Sequence, residues 1–63
     1  MKLISFVSAI AGDEVVHITQ GDNTRYFGTI NNAYSELDDA YLHEAEVIYV
    51  HSGFGGLCIE AEI

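Results

Sequence analysis

Hydrophobic and polar positions along this chain fall into five short apolar stretches and one longer interval of helical spacing. Residues 2–10 put Ile4, Phe6 and Ile10 on one face of a strand and Leu3, Val7 and Ala9 on the other. Apolar side chains on both faces predict a central strand. Ala11-Gly12-Asp13 has turn chemistry, and residues 14–19 form a second strand, with Val16 and Ile18 opposite Val15, His17 and Thr19. Gly21-Asp22-Asn23 is of hairpin length and leads into a third strand over 24–30, which carries Tyr26 and Phe27. The period then changes. Asn32 is a suitable N-cap, and Ala33, Tyr34, Leu37, Ala40 and Tyr41 fall on one stripe, with Asp38 and Leu42 on its flank, predicting an amphipathic helix over 32–44. Residues 46–51, EVIYVH, are apolar on both faces and predict a fourth strand. After the SGFGG turn, residues 57–63 alternate cleanly, with Leu57, Ile59, Ala61 and Ile63 inward and Cys58, Glu60 and Glu62 outward. Outward glutamates on a last strand suit a sheet edge.

The predicted architecture is α+β, a five-stranded, mainly antiparallel sheet in the order βββαββ, with one amphipathic helix packed on one face. Strands one and four belong in the middle, which gives a sheet order of 3-2-1-4-5. A helix of about 20 Å covers only one face. The other should carry Leu3, Ser5, Val7, Val15, His17, Val47, Tyr49, His51 and Glu60. Aliphatic, aromatic and histidine residues mixed in this way suit an interface. Val15, His17, Val47, Tyr49 and His51 are therefore candidates for a homodimer face.

At 63 residues the chain is a single domain, 1–63, without repeat, proline or linker. A domain of this size buries only about 60% of its unfolded surface, so association would relieve a thin core. Cys58 is the lone cysteine, which excludes an internal disulfide and fits a reducing, cytoplasmic setting. The opening MKLISFVSAI is interrupted by Ser5 and Ser8 and followed by acid, unlike a signal peptide, and no segment is long enough to span a membrane.

Charge changes the picture most. Ten carboxylates face Lys2 and Arg25 alone, a net charge of −8. Such a field repels nucleic acid and anionic membranes and attracts basic surfaces. Two cations cannot neutralise a row of phosphates, so direct nucleic-acid binding is excluded. Glu44 and Glu46 oppose the dipole at the predicted helix C-terminus, a local cost that suggests service elsewhere.

No catalytic, cofactor or metal constellation emerges. Glu36, Asp39 and His43 line one helix face without a known zinc spacing, and read as a solvated acidic face. His17 and His51, near Tyr49, lack a nucleophile with an orienting carboxylate. The glycines of HSGFGGL precede a strand with no cation nearby, so they form a hairpin and not a phosphate cradle. Phe54 at the hairpin tip has the character of an interface anchor or of a core residue folded back.

The tiny single domain, the −8 charge and the acidic run Glu36-Leu37-Asp38-Asp39 continuing to Glu44 and Glu46 resemble the small acidic inhibitors of phages and mobile elements, in particular anti-CRISPR proteins. The resemblance is one of general character over the whole chain. It implies a protein inhibitor in the host-cell cytoplasm, docking on the basic DNA-binding surface of a CRISPR effector and blocking DNA engagement. The residues expected to meet that partner are Glu36, Asp38, Asp39, Leu42, Glu44, Glu46, Phe54, Glu60 and Glu62. The alternative is a homo-oligomeric assembly module using the open sheet face.

Overall fold

In the computed structural model, which describes residues 1–53 and 55–63, the chain is α+β, with three short helices laid on one face of a four-stranded mixed sheet. The elements run α1 (Leu3–Ser8), β1 (Val15–Gln20), β2 (Asn23–Thr29), α2 (Ile30–Glu36), α3 (Asp39–Glu44), β3 (Glu46–Gly53) and β4 (Gly56–Glu62). Across the sheet the order is β2-β1-β4-β3.

The segment expected to be the central strand is instead α1, which corrects both the strand count and the topology. Leu3 and Val7 are four apart and both fully buried, with Ile4, Phe6 and Ile10 partly buried beside them. Such spacing is one helical stripe as readily as two strand faces. Ser8 Oγ donates to the Ile4 carbonyl at 2.6 Å, a local bond the helix accommodates. A helix of six residues is held by packing and not by its own cooperativity. One strand-like contact survives at its start: Lys2 bridges Glu46 antiparallel, and Val47 N–H donates to the Met1 carbonyl at 2.9 Å.

The single helix expected over 32–44 is two. Leu37 and Asp38 are extended, and the Asp38 carboxylate accepts the Tyr41 N–H at 3.1 Å as N-cap of α3. Capping by aspartate here outcompetes propagation of the helix. Thr29, not Asn32, caps α2. The break re-phases the apolar stripe, so Ala33, Leu37, Tyr41 and Leu42 are buried while Tyr34 and Ala40 are exposed.

β4 is central, parallel to β1 and antiparallel to β3, so its glutamates do not guard an edge. The true edges are β2 and β3. Gly21, with φ +60, followed by Asp22 with negative φ, gives the two-residue β1–β2 hairpin the signature of a type II′ turn.

The core lies between the layers. Leu3, Val7, Ile30, Ala33, Leu37, Tyr41, Leu42 and Ala45 come from the helical side, and Val16, Ile18, Tyr26, Ile59 and Ala61 from the sheet. Tyr41 spans the two: its hydroxyl donates to the Ala61 carbonyl at 2.6 Å, and Arg25 sits 4.0 Å from its ring centroid. At the start of β4, a methyl on Gly56 would overlap the Val15 carbonyl. Gly56→Ala should therefore push β1 and β4 apart and cost about 2 kcal/mol. A thermal melt should show a drop of roughly 10 °C.

Candidate protein-binding surfaces

The acidic residues are spread: two groups stand at the α2–α3 junction and at one end of the sheet, while Asp13, Glu14 and Asp22 are exposed in the turns flanking β1. Glu36, Asp38 and Asp39 sit at the α2–α3 junction, all exposed. The break at Leu37-Asp38 puts Glu36 on a different helix from Asp39 and His43, so the expected three-residue row does not form. Asp39 and His43 make a local pair, 3.4 Å apart between Oδ1 and Nδ1. Among the described residues no group of three or more His, Cys, Asp or Glu is placed to hold a metal ion.

The second acidic region is at the end of the sheet. Glu46 of β3 lies directly opposite Glu62 of β4, and Glu60 is two residues before Glu62 on the same face. Like charges opposite each other are unfavourable, and the chain compensates with its N-terminus. The Met1 ammonium donates to Glu46 at 3.0 Å, and Lys2 Nζ lies 3.3 Å from the same carboxylate. Lys2 also donates to the Glu44 carbonyl at 3.1 Å, at the negative end of α3. The Glu46 carboxylate thus receives local compensation that the sequence pattern alone does not show, whereas Lys2 meets only the backbone carbonyl of Glu44.

The bonds from the Met1 ammonium and then Lys2 hold the Glu46 carboxyl below its ordinary range. A folded-state value below the unfolded one stabilises the protein above the unfolded value, and that contribution disappears as pH falls through the folded one. Glu46→Gln should accordingly flatten the acid limb of the stability curve below about pH 4.3, measured by urea titration at stepped pH.

Two residues expected at the partner surface stand differently. Leu42 is buried in the core, because α3 turns it inward once the helix is broken. Phe54 lies outside the described residues.

The open face of the sheet carries a second ensemble, assembled by register. His17 lies opposite Phe27 on one side and Cys58 on the other, and Cys58 lies opposite His51. Phe27, His17, Cys58 and His51 therefore form one row across all four strands. The His17 ring meets Phe27 edge-on at 5.5 Å, and its Nε2 is 3.0 Å from Thr24 Oγ1. Tyr49 tilts against His51 at 5.1 Å. Phe27 and Tyr49 are 63% and 61% exposed, high for aromatic residues on a sheet. Of the residues predicted for this face, Val15, His17, Tyr49 and His51 share it with Glu60. Val47 does not: it pairs with buried Ala61 and packs against the core. Leu3 and Val7 belong to α1 and are buried, and Ser5 is exposed on the same helix.

The fold and its surfaces define a small two-layer α+β domain with acids at the α2–α3 junction and at one end of the sheet, and aromatic residues on the open sheet face. No family model matches the sequence, and neither a curated protein nor a solved structure is significantly similar to it. Among the described residues no helix is long and apolar enough to cross a membrane.

Proposed function

We propose that this chain is an acidic protein inhibitor of the anti-CRISPR kind, which binds a basic surface of a nucleic-acid-binding complex and blocks its engagement of DNA. The observation that carries the reading is the uncompensated charge. Of the ten carboxylates, only Glu46 reaches Lys2 or the chain amino group among the described residues, and Arg25 is committed to the Tyr41 ring. Unpaired carboxylates held in place by a folded domain are complementary to a groove lined with arginine and lysine. Glu36, Asp38 and Asp39 are the contact residues, with Glu44 further along α3. On this reading the protein performs no reaction, takes no cofactor and touches no nucleic acid itself.

The experiment is competition. Purified protein is titrated into a panel of purified CRISPR effector complexes, and target-DNA binding is followed by mobility shift. Loss of DNA binding by at least one effector supports the reading, and unaffected binding across the panel contradicts it.

A further inference from the structure

The helices cover one face of the sheet and leave the other to solvent. Alternation puts on that open face the strand residues out of step with Val16, Ile18, Ile59 and Ala61. Register then sorts them into rows running across the strands. Phe27, His17, Cys58 and His51 form the middle row. Thr24, Thr19, Glu60 and Tyr49 form the next, and the Glu62–Glu46 pair lies beyond it. On the opposite flank Val15 faces Thr29 and Gly53 faces Gly56, so the surface there is low.

Two features of this face call for a partner. Phe27 and Tyr49 leave more than half of their surface in water. Beside them Glu60 is half-buried and Glu62 exposed, and neither is ion-paired among the described residues. The chain has no cation to spare for them, because Lys2 is held at Glu46 and Arg25 lies on the Tyr41 ring. An apolar strip bordered on one side by unmatched carboxylates is complementary to a surface that is apolar along a stripe and basic along its edge.

Shape narrows the occupant. The face of a sheet is covered either by helices or by a second sheet. The aromatic strip is only one row deep, which matches the apolar stripe of one amphipathic helix and not the breadth of a sheet. Its length is three strand spacings, about 14 Å. That equals roughly two and a half turns of α-helix. A second copy of this chain suits the face poorly, since it brings another net charge of −8.

We infer that the open face of the sheet is a docking site for a basic amphipathic helix of a partner protein. The helix lies across the strands on the row from Phe27 to His51, and its arginine or lysine flank reaches Glu60 and Glu62. No contact at the α2–α3 junction is needed, so this surface and the acidic one proposed above act separately.

The probe is a synthetic peptide of about 18 residues, long enough to hold a helix, with leucine along one face and arginine along the other. It is titrated into isotope-labelled protein and followed by amide chemical shifts. A control peptide carries the same residues in an order without helical period. The expected result is saturable shifts at Phe27, His17, Cys58, His51 and Tyr49, with little response to the control. Phe27→Ser or Tyr49→Ser should weaken binding at least about tenfold. Tyr34→Ser removes an exposed aromatic residue of the helical side and should leave binding unchanged. All three variants keep the net charge, and circular dichroism checks that they keep the fold. Absence of saturable binding overturns the inference. Equal binding of the two peptides does so too, by reducing the effect to bulk charge, as do shifts confined to the α2–α3 junction. A dimer of the parent chain abolished by Phe27→Ser would give the face to a second copy and also overturn it. No effector enters this assay, so its failure is distinct from failure of the inhibition, which the competition experiment reads.

Discussion

Tyr41→Ala should leave the chain unfolded at room temperature. Tyr41 is fully buried between the layers, and its truncation removes a large ring from a core of thirteen buried residues among those described. The usual cost of truncating a large aromatic in a core is about 3–5 kcal/mol, and a domain this small rarely has more than about 3–5 kcal/mol in total. Tyr41→Phe separates ring from hydroxyl. The ring stays beneath Arg25, but the Ala61 carbonyl loses its 2.6 Å donor and the Thr19 carbonyl a weaker one at 3.3 Å. The expected loss is about 1–2 kcal/mol, seen as a lower Tm with native far-UV circular dichroism. A Tyr41→Ala protein that melts cooperatively near the parent temperature would show that the core does not depend on this residue. Burial raises the Tyr41 phenol, with Arg25 opposing and Glu60 and Glu62 adding to the shift. Because the folded value exceeds the unfolded one, Tyr41 also contributes to a loss of stability as pH rises beyond about 10.

Much of the sheet was legible in the sequence, because β1, β2, β3 and β4 are short segments rich in β-branched and aromatic residues, set off by the glycine turns at 21–23 and 52–56. The order of the strands was not. β4 alternates like an edge strand, yet it lies at the centre, since its outer residues Cys58 and Glu60 are framed by neighbours on both sides of an open face. α1 was misread because Ile4, Phe6, Val7 and Ile10 satisfy both periods, and a six-residue helix has too few positions to decide between them. The break between α2 and α3 was signalled by Leu37-Asp38-Asp39, an aspartate followed three residues on by the N–H it caps. The stripe of apolar positions masked that signal. For the candidate surface, the acids at the α2–α3 junction were identifiable from composition alone. The involvement of the N-terminus with Glu46 was not, because it joins residues 45 apart.

Reversing Glu36, Asp38 and Asp39 together to lysine should abolish partner binding. The change moves the net charge from −8 to −2, since each substitution adds two units. It replaces a complementary patch with a repulsive one, and a loss of at least about 100-fold is expected from the effect of charge steering and like-charge juxtaposition. Asp38 also caps α3, so a parallel variant keeping Asp38 and reversing only Glu36 and Asp39 guards against lost folding. That double variant should still cost more than about tenfold.

The most direct measurement of the acidic-inhibitor account is the dissociation constant for an inhibited effector across a series of salt concentrations, for the parent protein and for the Glu36→Lys, Asp39→Lys variant. The account predicts that parent binding weakens steeply as salt rises, and that the variant binds poorly at low salt with a much shallower dependence. Equal affinities and a flat response to salt in both proteins would contradict it.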